Sequence, residues 1–146
     1  MKKINKLWLV VAVLVTTILA LNIPRTEIVN IEEVEAKNKI NYEAELDYWL
    51  DRLKQQESGG VEHIKHLDSN NKYSFGCYQF QVETFVSYTK RYNLLPESED
   101  AEIENWIYDC TYQRKLAKEM INDNYDNWKH WRTSTGKVGK PPQKYD

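Results

Sequence analysis

This chain has no excess of positive charge, little cysteine and no internal repetition. Its 146 residues carry 20 Lys and Arg against 22 Asp and Glu, a net charge of −2. Lys2, Lys3 and Lys6 belong to an N-terminal segment, and without them the remainder stands at −5. No basic field dominates, which excludes nucleic acid as a partner. No segment recurs at a period of about 20–50 residues, so a solenoid or propeller is excluded. His63 and His66 lie three apart with Asp68 close behind, but a fourth ligand is missing and the spacing matches no zinc pattern. They read as solvated loop histidines, and no metal or cofactor is expected. There are only two cysteines, Cys77 and Cys110. They are either one disulfide, if the chain is exported, or two buried thiols acting as small hydrophobes.

What is present begins with an apolar run. Three lysines precede Leu7 to Leu21, which contains no charge. Residues 1–23 therefore read as a signal peptide or an N-terminal membrane anchor, with the remainder exported. As a helix, Leu7 to Ile23 spans roughly 25 Å, slightly short of a hydrocarbon core. A cut after Ala20 would place the large Ile18 where a small residue is usual, so cleavage and retention both stand. Residues 24–41 read as a charged spacer with a faint helical period, residues 42–132 as one small domain, and residues 133–146 as a disordered tail marked by Gly136, Gly139, Pro141 and Pro142.

Within the domain, Leu46, Leu50 and Leu53 form one face of a helix over about Tyr42 to Glu57. Glu57 continues that face four residues beyond Leu53. A carboxylate on an apolar stripe is desolvated, which disfavours its charged form and keeps a proton available near neutral pH. Gly59 and Gly60 end the helix, as glycine readily takes the left-handed cap conformation. Val61 to Lys72 reads as a loop. Tyr73 to Gln81 alternates, with Tyr78 and Phe80 on one side and Gln79 and Gln81 on the other, and predicts a short extended segment or hairpin. Helices are expected over about Val82 to Tyr92, around Ile103, Trp106 and Ile107, and over about Asp109 to Asn122, with a last helical turn at Trp128 and Trp131. The fold class is mainly α, with a small extended element beside the helix that carries Glu57.

Three segments stand in a telling order: Glu57-Ser58-Gly59-Gly60, then Gly76-Cys77-Tyr78-Gln79, then Glu83-Thr84-Phe85. In this they resemble the lysozyme-like superfamily of soluble lytic transglycosylases, most closely its resuscitation-promoting-factor branch, which carries a similar Gly-Leu-Gln-Phe run and a Trp-rich end. The resemblance covers roughly residues 43–132. It implies an α+β lysozyme-like domain acting on peptidoglycan glycan strands, at the β-1,4 bond between N-acetylmuramic acid and N-acetylglucosamine. Glu57 would be the catalytic acid. A hydrolase needs a second carboxylate, for which Asp68 is the better placed of Glu62 and Asp68, although Asp68 also reads as a turn residue beside Ser69 and Asn70. With one acid, the resemblance implies a lytic transglycosylase, in which the muramoyl 6-hydroxyl attacks its own anomeric carbon.

Candidate sugar contacts are Ser58, Asp68, Tyr73, Gln79, Gln81, Tyr125 and Trp128, of which Gln79 matches the family's glutamine. Amides and phenols offer a glycan both donors and acceptors. Five Trp and ten Tyr suffice to build a core and also to stack on sugar rings. Trp49 and Trp106 are expected in the core. The Ala-x-Tyr-Asn motif of many transglycosylases is absent, and only Asn124-Tyr125 stands near its place. Two rival readings remain: a glycan-binding or signalling module without strong catalysis, and a membrane-tethered protein-interaction module.

Overall fold

Why a helix leads into the site is clear from the computed structural model, which describes residues 30–94 and 106–144. The expected signal or anchor segment, residues 1–23, lies outside them. Among the described residues no helix is long and apolar enough to cross a membrane. The chain divides into two units, residues 1–34 and residues 35–146, and the cleft lies wholly within the second.

Helix α1 spans Ile31–Ser58. Tyr42, Leu46, Trp49, Leu50 and Leu53 are buried along one face, as their spacing predicts. The helix starts well before the expected Tyr42, so much of the charged spacer is helical. Its early turns are exposed on every side, and the faint period of Ile31 and Val34 is all that announces them. What supports them is local: Asn30 Oδ1 accepts the Glu32 amide at 3.2 Å, and Glu32 and Glu33 sit in the first turn, where negative charge is favoured. The far end closes at Gly59, whose φ of 64° suits glycine and whose N–H reaches Gln55 O at 3.0 Å.

Strands β1 (Lys65–Leu67), β2 (Tyr73–Phe75) and β3 (Phe80–Gln81) form an antiparallel sheet in that order. His66 stands opposite Ser74, and Ser74 opposite Gln81. The stretch expected to be loop thus supplies a strand. All three residues of β1 are exposed, so no alternation marks it. Helix α2 spans Val82–Arg91. The expected helix around Ile103 falls mostly outside the described residues, which resume with one 3-10 turn at Trp106–Tyr108. Trp106, expected in the core, is instead 39% exposed and meets the Tyr112 ring edge-on at 4.6 Å.

Helix α3 spans Cys110–Asp123 and is capped by Asp109 Oδ1, which accepts from Thr111 N at 2.8 Å and Tyr112 N at 3.1 Å. Its buried face is Gln113, Leu116, Ala117, Met120 and Ile121. A 3-10 run, Tyr125–Trp131, leads directly into helix α4, Arg132–Val138. The tail expected to be disordered is therefore folded at least to Pro141. Ser134, Thr135 and Pro141 are buried, Trp49 Nε1 donates to Gly139 O at 2.9 Å, and Tyr125 OH donates to Pro141 O at 3.4 Å. Since α4 buries hydroxyls rather than large apolar groups, hydrophobic periodicity gave no sign of it.

The architecture is mainly helical with one small three-stranded antiparallel sheet. Cys77 and Cys110 form a disulfide, Cα to Cα 5.4 Å, which ties the β2–β3 turn to the start of α3. Gln113 reinforces that tie from within the core. Its Nε2 donates to Phe75 O at 2.8 Å and to Ile107 O, and its Oε1 accepts Tyr78 N at 2.6 Å. Gly76 is obligatory there: its φ is 71°, and a Cβ would lie 2.3 Å from Gln113 Nε2 and 2.7 Å from Ile107 O.

Candidate active site

Glu57 is the penultimate residue of α1 and half-buried. Its carboxyl pKa is raised above the ordinary value, chiefly because burial penalises the charge. A hydrogen bond from Ser134 lowers it, the nearby charge of Asp68 raises it, and His66 lowers it. Glu57 opens onto a cleft of about 390 Å³, shared with Asp68, Ser74, Gln79, Gln81, His130, Trp131 and Ser134. The cleft continues past Thr84 and Lys129.

One wall is the sheet and its turns. Asp68 begins a tight turn, its N–H donating to Lys72 O at 2.8 Å while its own carbonyl accepts Asn71 N at 3.0 Å. It is therefore a turn residue and also a cleft carboxylate, since the turn aims its side chain inward. Gln81 Nε2 donates to Asp68 Oδ2 at 2.8 Å. The Ser74 hydroxyl lies 3.2 Å from Asp68 Oδ1 and 3.0 Å from Gln79 Oε1, and shares its single proton between them. Gln79 has φ of 51° and donates its amide to Gly76 O at 2.7 Å. Asp68, Gln79 and Gln81, three of the expected sugar contacts, are thus held in one network on the wall facing Glu57.

The opposite wall comes from the end of the chain. Trp131 is buried and its indole N–H donates to Tyr78 O at 2.8 Å, fastening this wall to the β2–β3 turn. Its ring meets Phe80 at 5.4 Å and Trp49 at 6.4 Å, both edge-on. His130 and Ser134 flank it along the cleft.

Four expected contacts are not brought to the cleft. Ser58 is buried, its hydroxyl donating to Cys77 O at 2.9 Å and accepting Gly60 N at 3.1 Å, so it fastens the end of α1 to the turn below. Tyr73 lies on the other face of β2, 46% exposed, with Lys65 Nζ 3.8 Å from its ring centroid. Alternation explains this: Ser74 faces the cleft, so its neighbour must face away. Tyr125 bonds to Pro141 O and borders a separate groove with Tyr42 and Lys144. Trp128 packs against the core with Lys140 Nζ 4.8 Å from its ring centroid.

The cleft residues beyond the candidate sugar contacts are Ser69, Asn70, Ser74, His130, Trp131, Thr133 and Ser134. For Ser74 the signal existed, because it shares a face with Gln81 across the sheet. For His130, Thr133 and Ser134 there was none, as nothing local marks that the chain folds back there. His63, read as a solvated loop residue, packs on the Tyr108 ring at 5.2 Å. Among the described residues, no group of three or more His, Cys, Asp or Glu side chains could hold a metal ion.

Comparison of the chain with protein-family models, with curated proteins and with solved structures finds no match.

Proposed function

We propose that this protein cleaves peptidoglycan glycan strands at the β-1,4 bond between N-acetylmuramic acid and N-acetylglucosamine, on a lysozyme-like domain. The observation that carries the reading is Glu57: a half-buried carboxyl with a raised pKa, opening onto a polar cleft with Asp68 in the wall opposite. A carboxyl that holds its proton toward neutral pH is what a glycosidic leaving group requires. Aromatic and amide side chains line the same cleft, the chemistry that suits a sugar ring.

In the favoured route Glu57 gives its proton to the bridging oxygen as the C1–O bond breaks. The muramoyl 6-hydroxyl then bonds to C1 and returns its proton to the Glu57 carboxylate. The products are a 1,6-anhydro-muramoyl end and a free 4-hydroxyl on the departing sugar, with no water consumed. Asp68 serves here to hold Gln81 and Ser74 in place.

A second reading is favoured by the position of Asp68 itself, which lines the cleft with Glu57. In a hydrolase it activates water or stabilises the developing cation. Mass spectrometry of digested, purified peptidoglycan separates the two. Ends lighter by one water support the transglycosylase. Reducing muramoyl ends, with Asp68→Asn as damaging as Glu57→Gln, support the hydrolase. A folded protein that releases no fragments overturns both and leaves a glycan-binding module.

Action on cell wall requires export, with the chain either anchored by residues 1–23 or released. The disulfide is in keeping with an oxidising compartment.

A further inference from the structure

His130 stands in the cleft with its protonation pattern determined by a chain of hydrogen bonds that begins in the core. Asn127 Nδ2 donates to Met120 O at 2.8 Å, which orients the amide so that its oxygen faces Tyr88. That oxygen can only accept, so the Tyr88 hydroxyl donates its one proton to Asn127 Oδ1, at 3.0 Å. His130 Nε2 lies 3.3 Å from the same hydroxyl oxygen. With the phenol proton already committed, the contact requires a proton on Nε2, donated to Tyr88. In a neutral ring Nδ1 then carries a bare lone pair. His130 is exposed on its open side, and partial desolvation lowers its pKa from the ordinary histidine value. Nδ1 has no protein partner among the described residues, and the ring borders the cleft beside Asp68, Gln81 and Trp131.

We propose that His130 is a substrate-binding residue whose Nδ1 accepts a hydrogen bond from an N–H or O–H of the glycan, held in that tautomer by Tyr88 and Asn127. The proposal rests on the glycan-cleaving reading and deepens it. A sugar carrying an acetamido group supplies both features the site asks for: an N–H for the imidazole lone pair and a methyl for the apolar ring of Trp131, whose own N–H is spent on Tyr78 O. Tyr88 and Asn127 are positioning residues and touch no substrate.

The test uses the full-length Glu57→Gln protein, which binds without cleaving, with nitrogen-15-labelled histidine and soluble uncross-linked peptidoglycan glycan strands as the probe. In the free protein, imidazole nitrogen shifts should report a neutral ring protonated at Nε2. On titration the Nδ1 resonance should move, and adding His130→Gln should weaken Kd about 3- to 10-fold. His130→Asn places an acceptor close to the Nδ1 position and should recover most of that loss. Tyr88→Phe should leave folding intact and mix the two tautomers. A free ring protonated at Nδ1, or a glycan that binds while the Nδ1 resonance stays still, overturns this inference and leaves the cleavage reading standing. Absence of glycan binding, together with no cleavage by the Glu57 protein, overturns both.

Discussion

The two walls of the cleft are built by different means. The sheet wall, from Asp68 to Gln81, is made by residues close in sequence. Its side chains hold one another, through the bonds of Gln81, Ser74 and Asp68. The C-terminal wall, from His130 to Ser134, depends on distant partners. Trp131 is fastened to Tyr78, His130 to Tyr88, and Ser134 reaches back to Glu57. A wall of the first kind forms wherever its short segment folds. A wall of the second kind exists only after the chain has closed on itself; its Ser134 lowers the Glu57 pKa, on which Asp68 and His66 of the sheet side act as well.

The largest expected effect separates chemistry from architecture. Glu57→Gln keeps the side-chain shape and an acceptor for Ser134 while removing the titratable proton. Cleavage of purified peptidoglycan should fall by about 10²–10⁴-fold with folding retained. A folded variant with near-normal turnover would sink the assignment of Glu57.

Next come the ties that hold the sheet wall against the helices. The disulfide closes a separation of 33 residues, and its reduction should lower stability by about 3–4 kcal/mol in the chain-entropy picture. Gln113→Leu strips partners from Phe75 O, Ile107 O and Tyr78 N, and should cost about 3 kcal/mol. Urea unfolding with and without reductant measures the first, and the same titration on the variant measures the second. Equal midpoints in either comparison would show that the turn needs no such tie.

The pH dependence sharpens the contrast between the walls. Because the folded pKa of Glu57 is raised, the native state binds more protons than the unfolded chain between the ordinary carboxyl value and the raised one. Glu57 therefore costs stability as pH rises through that window, and the Glu57→Gln variant should gain on the parent above it. Activity should fall over the same rise, as the acid loses its proton. The Ser134 hydrogen bond lowers the Glu57 pKa, so Ser134→Ala should move this activity limb to higher pH. An unmoved limb would mean that the C-terminal wall does not tune the acid.

The smallest effects belong to side chains on the wrong side of the walls. Tyr73→Ala and Tyr125→Phe should each change kcat/KM by less than about twofold, as surface changes remote from the site. A tenfold loss of kcat/KM for Tyr73→Ala would mean that the glycan wraps onto the outer face of the sheet.

Much of the sheet wall was legible in the residues themselves. The leucine stripe pointed at Glu57, glycine marked the helix end, and alternation set Gln79 and Gln81 apart from Tyr78 and Phe80. Alternation also dictated that Tyr73 and Ser74 face opposite ways, and the pairing of Ser74 with Gln81 puts the serine on the cleft side. The pairing of Cys77 with Cys110 was one of two open possibilities, and proximity in the fold decided it. The C-terminal wall was hidden because Thr133, Ser134, Thr135 and Gly136 are the residue types of a loose tail, and only the burial of Ser134 and Thr135 shows otherwise.

By itself the sequence determined the buried stripe of α1 and where that helix stops, and roughly where α2 and α3 lie, because periodicity, capping and backbone freedom act over a few residues. Only the tertiary structure decided what faces that acid. Closing the chain brings Ser134 to Glu57 and Trp131 to Tyr78, and sets the His130 tautomer through Tyr88. Desolvation and long-range hydrogen bonds belong to the packed chain, and no local pattern encodes them.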